Sequence, residues 1–129
     1  MFPGIWSARG WRESKYFSAP ILIAQWLRDH TPPDVIVCAD TIGFLGLYSD
    51  RKILDVVGLV SPEVISLHKE YLDFYEAYVP IVERYDPDYC MIRDTELRRI
   101  PRIARDRFEH YYVVILKHGE FNLYARRKD

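Results

Sequence analysis

Cysteine is scarce: the chain has two in 129 residues, Cys38 and Cys90. Each stands inside an apolar, strand-like run rather than in a CxxC or a Cys/His cluster, which excludes a zinc module and CxxC redox chemistry. Both read as buried free thiols, and a disulfide between them requires neighbouring strands in an oxidising compartment. Long apolar runs are missing as well. The longest, Ile42 to Tyr48, is about a third of the ~20 residues that a bilayer helix needs, so no membrane span is expected. Met1-Phe2-Pro3-Gly4-Ile5-Trp6 lacks the basic and apolar regions of a signal peptide. His30, His68, His110 and His118 are scattered without ligand spacing, and no metal site is expected. The six glycines form neither GxGxxG nor GxxxxGK[ST], so no cofactor is expected. GxSxG is absent too, and the proline after Ser61 makes that serine a helix cap rather than a nucleophile.

What is present is a folding composition, 49% hydrophobic and 29% charged, enough for one domain that buries roughly two-thirds of its unfolded surface. Charge is bipolar along the chain. Residues 1–88 hold 8 basic and 13 acidic side chains, and residues 89–129 hold 10 basic and 6 acidic. Arg98, Arg99 and Arg102, within a basic run that continues to Arg105 and Arg107, are candidate contacts for an anion or an anionic lipid surface. Nucleic acid is not an expected partner, because no base-stacking aromatics interleave with these arginines.

Punctuation and period give the element order. Residues 1–17 form an irregular lead-in, and the domain proper spans 18–129. Ser18-Ala19-Pro20 opens a helix with Ile23, Trp26, Leu27 and His30 on one face. Val35 to Ala39 is a strand buried on both faces, followed by a short helix from Thr41 to Tyr48 and a second strand from Ile53 to Val57. Ser61-Pro62-Glu63 starts a further helix. Glu70 to Tyr85 is helical, with Pro80 kinking or dividing it. Tyr89 to Ile92 is a third strand, Thr95 to Arg105 a helix broken near Pro101, and Tyr111 to Tyr124 a hairpin turning at Lys117-His118-Gly119-Glu120. The expected fold is a single-domain α/β sandwich with a mixed sheet, parallel in its centre and closed by a C-terminal antiparallel hairpin.

Candidate chemistry gathers at strand ends. Asp40 and Asp55 each close or interrupt a strand run, and on adjacent parallel strands both carboxylates reach one sheet edge. There they can hold a cation, orient a sugar hydroxyl or exchange a proton, or else cap the following helix and turn. Gly43 and Gly46 leave little bulk on one helix side, for backbone packing or the close approach of a ligand. The candidate ligand-binding set is Asp40, Gly43, Tyr48, Asp55 and Ser61.

Read as one string, Pro33-Asp34-Val35-Ile36-Val37-Cys38-Ala39-Asp40-Thr41-Ile42-Gly43-Phe44-Leu45-Gly46-Leu47-Tyr48-Ser49-Asp50-Arg51-Lys52-Ile53-Leu54-Asp55-Val56-Val57-Gly58-Leu59 resembles a C-terminal segment of polytopic membrane glycosyltransferases. These are the enzymes related to dolichyl-phosphate-mannose protein mannosyltransferases and aminoarabinose transferases. Trp26-Leu27 with Pro32-Pro33, and Tyr124-Ala125-Arg126-Arg127, resemble the flanks of that segment. The resemblance implies a soluble, extracytoplasmic domain of a larger membrane protein that uses a polyprenyl-phosphate sugar, with catalysis in the membrane body and none in this chain. Its implied partners are that body or an anionic lipid surface, and an acceptor sugar. The other expectation is a stand-alone cytoplasmic α/β domain that binds or processes a sugar or nucleotide sugar at Asp40 and Asp55.

Overall fold

Side chains alternate across a strand, so each central strand must bury two sets of residues against two different layers. The computed structural model, which describes residues 15–40, 42–57, 64–71 and 73–128, meets that requirement with one five-stranded sheet in the order β2-β1-β3-β5-β4. The strands are β1 (Ile36–Ala39), β2 (Lys52–Asp55), β3 (Tyr89–Arg93), β4 (Tyr112–His118) and β5 (Phe121–Arg126). β1 runs parallel to β2 on one side and to β3 on the other. β5 pairs antiparallel with both β3 and β4. The fold is thus the α/β sandwich expected, with a parallel centre and an antiparallel C-terminal hairpin.

The helices are α1 (Lys15–His30), α2 (Ile42–Ser49), α3 (Ile65–His68), α4 (Phe74–Tyr85), α5 (Asp94–Arg99) and α6 (Arg102–Tyr111). On one sheet face Val37, Ala39, Met91 and Leu123 pack with Ile23, Ala24 and Leu27 of α1 and Leu45 of α2. On the other, Cys38, Leu54, Cys90, Ile92 and Tyr124 pack with Tyr78, Ile81 and Val82 of α4 and Ala104 and Phe108 of α6. Arg51, just before β2, ties the layers by donating to the carbonyls of Arg28 and Thr31 at 2.9 and 2.8 Å, near the C-terminal end of α1. Carbonyls there have no partner within the helix.

Two boundaries differ from the sequence expectation. Ser18 and Pro20 lie inside α1, so residues 15–17 are helical and not part of an irregular lead-in. Burial of Ala19, Ile23, Ala24 and Leu27 against the sheet outweighs the hydrogen bond that Pro20 removes. Pro80 does not divide its helix either. α4 is continuous through it, and the break falls at Asp73, whose Oδ1 accepts from the Tyr75 backbone N–H at 2.7 Å as an N-cap. The helix then stops at Asp86, which adopts a left-handed φ of 49° and donates its N–H to the Val82 carbonyl at 2.8 Å. Residues 1–14 of the expected lead-in, and the Ser61-Pro62-Glu63 helix start, lie outside the described residues.

Candidate functional site

Parallel strands deliver their C-terminal ends to one edge of the sheet, where α/β folds place ligands. Here β2 ends on Asp55, β1 is followed by Asp40, and β3 ends on Arg93. Arg93 gathers the edge. Its Nη2 donates to Asp40 Oδ2 at 3.0 Å, its Nε donates to Glu96 Oε1 at 3.2 Å, and its backbone N–H donates to the same Glu96 oxygen at 2.9 Å. Glu96 reaches back from the first turn of α5, three residues after Arg93, which is the spacing of a capping box. Its side chain is only 2% exposed, against 15% for Asp40 and 27% for Arg93.

The two carboxyls compete for one guanidinium. Burial, and then the hydrogen bond to Asp40, push the Glu96 carboxyl up to about 7, while the Arg93 amide and charge oppose the rise. The second oxygen of Glu96, Oε2, meets no donor among the described residues. An ionised carboxyl can only accept, and a protonated one can donate. With its proton in place, Glu96 becomes a donor to Asp40.

A second orphan lies beneath. The hydroxyl of Tyr78, in the middle of α4, is fully buried without a hydrogen-bond partner among the described residues. Burial raises its pKa well above the usual phenol range, and Cys38, Cys90, Glu96 and Asp40 raise it further as electrostatic neighbours. Tyr78→Phe is therefore expected to leave stability unchanged or to raise it by up to about 1 kcal/mol, because it deletes an unpaired buried polar group. A loss above that size in urea denaturation would show that the hydroxyl is bonded after all.

Beside this cluster, Asp94 accepts from Lys117 Nζ at 2.9 and 3.0 Å and from Asn122 Nδ2 at 2.8 Å. The hydrogen bonds from these two residues, Asn122 first and then Lys117, hold the Asp94 carboxyl below its usual range. The edge thus presents fixed donors and acceptors from β1, β3, α5 and the hairpin.

Of the residues singled out from the sequence, Asp40 is part of this assembly. Asp55 stands at the same edge but is sealed in the interior, its Oδ1 accepting from the Val57 backbone N–H at 2.9 Å, which is the turn role. Gly43 opens α2 on exposed backbone, where an added Cβ would meet nothing within 4 Å among the described residues, so close packing does not explain it. Tyr48 lies at the far end of α2, half-buried against the α1 face. Ser61 lies outside the described residues. Arg98 and Arg102 are exposed, and Arg99 sits over the Tyr75 ring at 5.5 Å. Further along the same run, Arg107 forks onto Glu83 through two 3.1 Å bonds, so part of the basic run pairs with the acidic half of the chain.

Arg93, Glu96 and Tyr78 were not among the candidates. The available signal was a charged residue closing the apolar run Tyr89-Cys90-Met91-Ile92, with a glutamate three positions later. Among the described residues no group of three or more His, Cys, Asp or Glu is placed to hold a metal ion. At the opposite, amino-terminal edge a cleft of about 790 Å³ opens between Pro32, Asp88, Tyr89, Tyr111 and Arg126. There Arg126 is already engaged by Asp86 and Asp88 at 2.6 and 3.1 Å.

The sequence pattern of one protein family, described as "Domain of unknown function (DUF8728)", spans residues 9–128, taking in the whole sheet and the Asp40–Arg93–Glu96 cluster. The chain belongs to that family. No curated protein and no solved structure matches it. The described residues contain no helix long and apolar enough to cross a membrane.

Proposed function

We propose that this chain is the non-catalytic, extracytoplasmic domain of a membrane glycosyltransferase-like protein, packing on the membrane body and helping to hold a hydroxyl-bearing acceptor at the carboxyl edge of its sheet. The observation that supports the acceptor role is the Asp40–Arg93–Glu96 arrangement. A sugar hydroxyl both donates and accepts, and here a charged donor lies between two carboxyls, all fixed by hydrogen bonds. The parent assignment rests on the resemblance of residues 33–59, which supply β1, α2 and β2.

Two measurements test the two halves. The gene is expected to encode, in the same polypeptide or beside it, several apolar spans of ~20 residues; an isolated cytoplasmic reading frame would overturn the parent assignment. In a thermal-shift screen with mono- and disaccharides, a ligand at about ten times its Kd is expected to raise Tm by a few degrees, and Asp40→Asn to abolish the rise. No shift at millimolar sugar would overturn the acceptor role.

A further inference from the structure

The two cysteines, separate in sequence, are register partners: Cys38 of β1 lies directly opposite Cys90 of the parallel neighbour β3. Registered residues on adjacent strands point to the same sheet face, and both thiols enter the core under α4, each 0% exposed. Strands about 4.7–4.9 Å apart place two such Cα atoms inside the ~4.4–6.8 Å window that disulfides occupy. Burial, and then the neighbouring Cys38 thiol, push the Cys90 thiol well above its usual range. In the structure both are free.

We propose that Cys38 and Cys90 form a disulfide that locks β1 to β3 beneath the Asp40–Arg93 edge when the chain folds in contact with a small-molecule disulfide. The inference rests on strand register and does not depend on the proposed function. In the reaction each thiol releases its proton, and the pair passes two electrons to the external disulfide. One S–S bond forms between Cys38 and Cys90 as the reagent's S–S bond breaks to give two thiols. Attack by one protein thiolate gives a mixed disulfide, which the other displaces. Because both sulfurs are closed off from solvent in the fold, the exchange happens while the strands are assembling.

The bond ties the strand that carries Asp40 to the strand that carries Arg93, and closes a loop running through β2, α3 and α4. Loops of that size stabilise by restricting the unfolded chain.

The test refolds the full chain from denaturant in a mixture of oxidised and reduced glutathione, then alkylates it under denaturing conditions and weighs it. The expected product is a monomer lighter by two hydrogens, with neither cysteine alkylated, whose Tm falls by roughly 5–15 °C when the bond is reduced. Alkylation of both cysteines, glutathione adducts retained on either one, or linkage only between chains would overturn the proposal. An internal bond whose oxidised form melts no higher than the reduced form would overturn the lock.

Discussion

At pH 8, Glu96→Gln is expected to stabilise the protein by about 1–3 kcal/mol, the reverse of what loss of a salt-bridge partner usually does. Burial and the Asp40 hydrogen bond raise the folded-state Glu96 carboxyl to about 7 from an ordinary 4.5. A raised acid is one whose protonated form the fold prefers. The stability it contributes is fully present below pH 4.5, declines through the interval and is lost as pH rises past about 7. A shift of that size corresponds to at most about 3 kcal/mol. Glutamine keeps the neutral form at every pH. Its amide oxygen can still accept from the Arg93 backbone and Nε, and its NH₂ can supply the donor that Asp40 receives from protonated Glu96. Urea denaturation of both proteins between pH 5 and 8 should give a falling curve for the parent and a nearly flat one for the variant over this component. Equal slopes would show that Glu96 titrates normally.

Arg93→Ala is expected to destabilise strongly, by about 3 kcal/mol at pH 8. Breaking a buried ion pair strands the partner charges, at a cost of about 3–5 kcal/mol. Solvent at the 27% exposed Arg93 side chain keeps this case near the lower end. The loss should shrink to about 1 kcal/mol at pH 5, where a protonated Glu96 hydrogen-bonds to Asp40 and the two carboxyls no longer repel. Adding Glu96→Gln to Arg93→Ala should recover part of the pH 8 loss. Strictly additive effects of the two substitutions would mean that the residues do not interact.

The contrast between Asp40 and Asp55 shows what was legible in the chain and what was not. Strands, turns and the hairpin are local: β-branched runs between proline, glycine and aspartate clusters place β1, β2 and β3 within a residue or two of their observed bounds. The paired carboxylate edge was also foreseeable, because both aspartates close strand runs. Which groups meet there was not, because it depends on strand order. β3 inserts on the far side of β1 from β2, bringing Arg93 to Asp40 across 53 residues of sequence. Asp55, on the near side, bonds its own turn instead. The prolines misled for a related reason. A lone Pro20 reads as a boundary and Pro80 as a kink or a boundary, yet tertiary burial of Ile23 and Leu27, or of Tyr78, Val79 and Ile81, carries each helix through it.

Titrating the ¹⁵N-labelled chain with a disaccharide acceptor analogue, and following backbone amides, tests whether the carboxyl edge around Asp40, Arg93 and Glu96 holds the acceptor. Saturable shifts confined to Arg93, Asp94, Glu96 and Val57, and absent in Asp40→Asn, are the predicted result. Shifts at Tyr89, Tyr111 and Arg126 in the opposite cleft, or none at all, would contradict the account.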